Sequence, residues 1–97
     1  MKLGIVLATR DDLHHAVAIA LAARRARHEV SVFAMDAGCL ALAEAPELVT
    51  VLADADCELI ACSNSAAGLV LPDEVVRGSQ DDHAAIVATA DRVVALT

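Results

Sequence analysis

The chain has 97 residues and a net charge of −7, and 58% of its residues are hydrophobic. This length predicts one small domain covering residues 1–97. The acidic balance and the single aromatic residue argue against a nucleic-acid surface, where cations offset phosphate charge and rings stack on bases. No apolar run approaches the ~20 residues of a membrane span. Three cysteines without paired spacing and the lack of a signal peptide favour a cytoplasmic protein with free thiols.

Strand-like and helix-like segments alternate along the chain. Buried strands are predicted over 2–9, 29–34, 57–62 and 93–96, and helices over 13–27, 40–44, 47–53, 63–71 and 80–90. Residues 75–78 fit either a loop or an extended segment. Because helices alternate with strands that are apolar on both faces, the pattern predicts a three-layer α/β fold. Its mostly parallel sheet has four to five strands, with helices on both faces.

The most informative stretch surrounds Cys62, where an apolar strand ends and the polar residues Ser63, Asn64 and Ser65 follow at once. A turn of this kind lies at the carboxyl edge of a parallel sheet, where open α/β folds bind ligands. The start of the helix expected over 63–71 would favour a thiolate there. Cys62 is therefore the candidate reactive thiol, against the alternative that it is a buried cysteine with a packing role.

Other candidate residues lie near the same edge. Cys39 follows the second strand and is a possible second thiol or a packing residue, whereas Cys57 at the opposite edge is expected to be structural. Ser79 begins a capping box with Asp82. The chain has no glycine-rich phosphate loop and no C-x-x-C motif, so we expect no cofactor. His14 and His15 are adjacent on a helix and cannot readily chelate together, so we also expect no metal site.

With these residues in place, the chain resembles the DsrE/DsrF-like family, which includes the sulfur-relay proteins of the Tus type. The resemblance covers almost the whole length. It rests on the opening strand and alanine-rich helix and on the segments 28–30, 32–38, 58–66, 78–80, 83–84 and 90–94.

The resemblance implies a flavodoxin-like fold and assembly into trimers or hexamers, with identical or related small subunits. In carrier members, a cysteine after the third main strand takes up sulfane sulfur as a persulfide, and Cys62 matches that position. Ser63, Asn64 and Ser65 then offer hydrogen-bond donors to the sulfur. Gly78, Ser79 and His83 are expected to contribute to the same substrate pocket.

Two other functions remain open at this point. The chain could be a structural subunit of a DsrE-like assembly whose thiol is incidental. It could also bind a small molecule at the sheet edge without covalent chemistry. In the carrier interpretation it also has sulfur donor and acceptor proteins as partners, which the sequence does not identify.

Overall fold

The computed structural model describes all of residues 1–97 and contains five strands and four helices. The strands are β1 (Lys2–Leu7), β2 (Glu29–Ala34), β3 (Glu58–Cys62), β4 (Val76–Gly78) and β5 (Arg92–Leu96). The helices are α1 (Leu13–Arg25), α2 (Ala37–Glu44), α3 (Pro46–Asp54) and α4 (Gln80–Thr89). None of the helices combines the length and the apolar character that a membrane crossing demands.

The five strands form one sheet in the order β4-β3-β2-β1-β5, and every neighbouring pair is parallel. The chain steps outward from β1 to β4 and then returns to the far side of β1. Because such crossovers are right-handed, α1, α2 and α3 lie on one face and α4 lies on the other. The predicted three-layer α/β architecture with a parallel sheet is thus confirmed.

The two faces of the sheet are covered unequally. The face under α1, α2 and α3 holds the main core, a cluster of 20 buried residues. The α4 face holds only a small cluster of Phe33, Cys62 and Ile86. Helix α4 packs closely because β1 has Gly4 beneath it, where a Cβ atom would lie 2.8 Å from Cγ2 of Ile86. Cys62 therefore points to the more thinly covered face.

The helix predicted over 63–71 is wrong, since this segment forms a series of turns. Only scattered local bonds occur, such as Ala66 N–H to the Cys62 carbonyl at 2.8 Å. Gly68 adopts φ +80°, which ends any right-handed turn before a helix can propagate. The short strand β4 resolves the ambiguity at 75–78 in favour of an extended segment.

Several predicted boundaries also shift. Strand β1 ends at Leu7 rather than at residue 9, β3 begins at Glu58 rather than at Cys57, and α1 ends at Arg25 because Arg27 has φ +66°. Asp12 stands at the start of α1 but does not cap it. Its carboxylate instead accepts the Thr9 hydroxyl and contacts His15, and the Thr9 hydrogen bond is the main reason that the pKa of Asp12 is lowered.

Candidate functional site

Cys62 is the last residue of β3, at the carboxyl edge of the sheet. It pairs with Gly78 at the end of the edge strand β4, and the Ser63 N–H donates to the Gly78 carbonyl at 2.8 Å. This pairing joins two chain segments that are far apart in sequence, the turns after β3 and the start of α4. The site is built where these two segments meet.

A cavity of about 330 Å³ opens at this junction, and five of its seven lining residues have polar side chains. Its lining consists of Cys62, Ser63, Asn64, Gly78, Ser79, Gln80 and Asp81. Cys62 is the one hydrophobic residue in this lining and is only 4% exposed. The thiol thus lies just beneath the surface at a polar cavity, rather than deep among aliphatic side chains.

Hydrogen-bond donors surround the sulfur of Cys62 and lower the pKa of its thiol. The largest cause is the backbone N–H of Ser65, followed by the Ser65 hydroxyl. Partial burial raises the pKa, and the Gln80 amide and the Asn64 N–H lower it further. Among these donors, Nε2 of Gln80 lies 3.6 Å from Sγ of Cys62. The donors favour a thiolate at this position.

The helix whose amino end faces the cavity is α4, not a helix directly after β3. Ser79 caps α4: its hydroxyl oxygen accepts the Asp81 N–H at 3.2 Å, and its own N–H donates to Asp82 at 2.8 Å. The predicted capping box is confirmed. The positive end of α4 therefore supplies the dipole that the sequence had assigned to the missing helix.

The other two thiols are in different surroundings. Cys39 is fully buried and donates to the Ala34 carbonyl at 3.4 Å. It belongs to the main core, on the opposite face of the sheet from the Cys62 cluster. Burial is the main reason that the pKa values of Cys39 and Cys57 are raised. The structure therefore places neither sulfur in the cavity with Cys62.

His83 lies behind the cavity wall rather than in it. Its Nδ1 is 3.1 Å from Oε1 of Gln80, and its ring stacks on Phe33 with centroids 5.1 Å apart. Sequence reasoning missed Gln80, which contacts both His83 and Cys62. Its position directly after the cap residue Ser79 was visible in the sequence. The sequence did not show that α4 begins beside the end of β3.

Arg77 is a second residue that sequence reasoning missed. From β4 its guanidinium donates to the carbonyls of Ala66 at 3.1 Å and Leu69 at 2.6 Å. In a helix, these two carbonyls would instead accept hydrogen bonds from backbone N–H groups. Arg77 thereby holds the turns that bring Asn64 and Ser65 to the sulfur.

The remaining geometry does not point to a metal or to a second reactive centre. No group of three or more His, Cys, Asp or Glu side chains could hold a metal ion. A larger cavity of about 450 Å³ lies between the start of α1 and the end of α2. Its cation, Arg10, is paired with Glu44, and no thiol lines it. Cys62 is therefore the one thiol that lines a cavity of this chain.

A model of the DsrE/DsrF-like family matches residues 1–96. The crystal structure of the YchN protein from E. coli superposes with a TM-score of 0.83, covering 99% of each chain at 19% sequence identity. At this identity the likeness concerns the fold alone. No curated protein matches the chain.

Proposed function

The chain belongs to the DsrE/DsrF-like family, and we propose that it is a sulfur carrier that holds sulfane sulfur as a persulfide on Cys62. The observation that supports this proposal best is the difference between the three thiols. Only Cys62 combines a place in a polar cavity with a lowered pKa, whereas burial raises the pKa of Cys39 and Cys57.

The chemistry is a thiol exchange without net oxidation. The Cys62 thiolate attacks the terminal sulfur of a donor persulfide, so a new S–S bond forms and the donor's S–S bond breaks. The donor leaves as a thiolate and takes up a proton. In the second step an acceptor thiolate attacks the outer sulfur on Cys62, receives it as a persulfide, and regenerates the Cys62 thiolate.

The polar groups around Cys62 have defined roles in this proposal. The N–H and hydroxyl of Ser65 and the amide of Gln80 stabilise negative charge on the attacking sulfur. Ser63, Asn64, Gly78 and Ser79 line the space that the visiting persulfide would enter. Cys39 has no part in the transfer, since its thiol lies in the main core.

Mass spectrometry after incubation with a small-molecule persulfide tests the carrier function. We expect the wild type to gain sulfur, the Cys62→Ser variant to gain none, and the Cys39→Ser variant to behave as the wild type. Equal loading of wild type and Cys62→Ser, or no loading of either, would contradict the proposal.

A protein that folds and associates but takes no sulfur would instead be a structural subunit. Reproducible binding of a small molecule without modification of Cys62 would indicate a binding module.

We further propose that the protein works as a homo-oligomer, a trimer or hexamer, or together with related small subunits. The α4 face supports this, because one helix covers it and leaves apolar side chains exposed. These are Val76, Val87 and Val93, at 61%, 47% and 40% exposure. Proteins that donate and accept the sulfur complete the proposed set of partners.

A further inference from the structure

The side chain of Gln80 connects His83 to the sulfur of Cys62. Its Nε2 lies 3.6 Å from Sγ of Cys62, and its Oε1 lies 3.1 Å from Nδ1 of His83. Gln80 and His83 are three residues apart on α4 and so share one side of the helix. The contacts form an uninterrupted path from the imidazole to the thiol.

The donors and acceptors along this path admit one arrangement when the thiol is ionised. A thiolate only accepts hydrogen bonds, so the amide nitrogen of Gln80 must face Cys62. Its carbonyl oxygen then faces His83 and accepts from Nδ1–H. Were Nδ1 unprotonated, two acceptors would face each other, and the amide would gain by turning its nitrogen away from the sulfur.

Phe33 holds the imidazole in place. The two rings are nearly parallel, with an interplanar angle of 8°, and Phe33 is fully buried in the sheet. The imidazole is thus held by stacking on Phe33 and by the contact of its Nδ1 with Gln80. Such restraint lets one side chain orient another without touching the reacting atom.

Few charged groups compete with this path. From α4, Asp81 lines the cavity and Asp82 is bonded to the Ser79 N–H. From β2, Phe33 shares the small buried cluster with Cys62, and Met35, just after the strand, packs against that cluster; both side chains are uncharged. From α2, the Cys39 thiol donates to the Ala34 carbonyl and lies 3.9 Å from the carbonyl oxygen of Cys62. Hydrogen bonding rather than a nearby cation therefore stabilises a thiolate here.

We propose that Gln80 and His83 are positioning residues: the Nδ1–H of His83 orients the Gln80 amide so that its N–H points at the Cys62 sulfur. During sulfur transfer, the same N–H would donate a hydrogen bond to the sulfur of Cys62 each time that sulfur becomes anionic. That part of the inference rests on the proposed carrier function, whereas the effect on the thiol itself does not.

The test measures the rate at which iodoacetamide alkylates Cys62 as a function of pH, in four variants of the full chain. Gln80→Met keeps the length of the side chain without a donor. His83→Phe keeps the stacking on Phe33 without Nδ1–H, and His83→Asn restores an N–H near that position. Gln80→Glu replaces the donor with a carboxylate.

We expect Gln80→Met and His83→Phe to lower the rate at pH 7 by about 3- to 10-fold, the effect of one lost hydrogen bond. The midpoint of their pH profiles should move upward, and Gln80→Glu should move it furthest. His83→Asn should recover most of the wild-type profile. Thermal unfolding of each variant shows whether it is folded.

An unshifted profile for Gln80→Met would overturn the inference, as would an unshifted profile for His83→Phe. A His83→Asn variant that is alkylated as slowly as His83→Phe would also overturn it, because restoring an N–H near that position would then have had no effect. Persulfide loading of the wild type separates the two proposals. If the wild type takes no sulfur but the profiles shift as expected, the carrier function fails and the positioning role stands.

Discussion

Cys62 differs from the other two cysteines in what surrounds its sulfur rather than in how exposed it is. Cys57 is 8% exposed and Cys62 only 4%, so accessibility alone would rank Cys57 as the more reactive. The donors around Cys62 predict the opposite order, because the thiolate is the nucleophile and the pKa is lowered at Cys62 and raised at Cys57.

Selective alkylation tests this ranking. At pH 7 we expect iodoacetamide to modify the native protein once, at Cys62, and the denatured chain at all three cysteines. As the pH rises, the rate at Cys62 should reach half its maximum below about 8.5, the pKa of an ordinary cysteine. Peptide mapping locates the label. Faster labelling of Cys57 than of Cys62 would contradict the assignment.

Two glycines at element ends contribute differently to the fold and to the site. A Cβ at Gly38 would lie 2.0 Å from the Leu7 carbonyl oxygen, a backbone atom that cannot move aside. A Cβ at Gly78 would lie 2.4 Å from Oδ2 of Asp82 and 2.6 Å from Cγ2 of Ile60, both of which are side-chain atoms. Crowding at Gly78 can therefore be relieved locally, at the expense of the capping box.

The substitutions Gly38→Ala and Gly78→Ala should separate stability from reactivity. We expect Gly78→Ala to lower the free energy of unfolding by about 1–3 kcal/mol and to slow alkylation of Cys62. Gly38→Ala should be the more destabilising change. Urea denaturation and alkylation rates provide the two readouts. An unchanged alkylation rate in folded Gly78→Ala would show that the start of α4 does not influence the sulfur.

The turns between β3 and β4 depend on Arg77, which replaces the missing helical bonds with two side-chain bonds. In Arg77→Lys the single ammonium group cannot reproduce the planar fork that spans both carbonyls. We expect a small loss of stability, of about 1 kcal/mol, and a several-fold slower alkylation of Cys62. Proteolysis within 63–75 should also become faster. Arg25→Lys, on the exposed end of α1, is the control and should change none of these three measurements.

The whole molecule presents a sheet with one well-covered face and one thinly covered face. An acidic chain with exposed valines on the second face can gain stability by burying them against another subunit. The same face contains the cluster of Phe33, Cys62 and Ile86, so the proposed subunit interface would lie close to the site.

Light scattering coupled to size exclusion tests the proposed assembly. We expect a mass that is three or six times the 10.0 kDa of one chain. Val87→Glu should shift the population toward smaller species, because it places a charge on the α4 face. Val70→Glu should not, since Val70 is exposed in the turns that Arg77 binds on the other side of the sheet. A monomer at all concentrations would rule out the homo-oligomer.

Much of the architecture could be predicted from local sequence. Apolar runs, the helix-starting Pro46 and the Ser79 capping box act over a few residues, so they identify β1, β2, β3, α3 and α4 directly. The same locality explains the error over 63–71. The composition there permits a helix, but Gly68 and the distant Arg77 decide against one.

By itself the sequence determined the class of fold and the prominence of Cys62, because hydrophobic periodicity and a polar turn after a buried strand are local signals. Only the tertiary structure decided what surrounds the sulfur. The pairing of β3 with β4 brings α4, and with it Gln80 and His83, beside a residue 18 or more positions earlier in the chain. Hydrogen bonds of that kind depend on distances of a few ångströms between separate elements, and no local pattern specifies them.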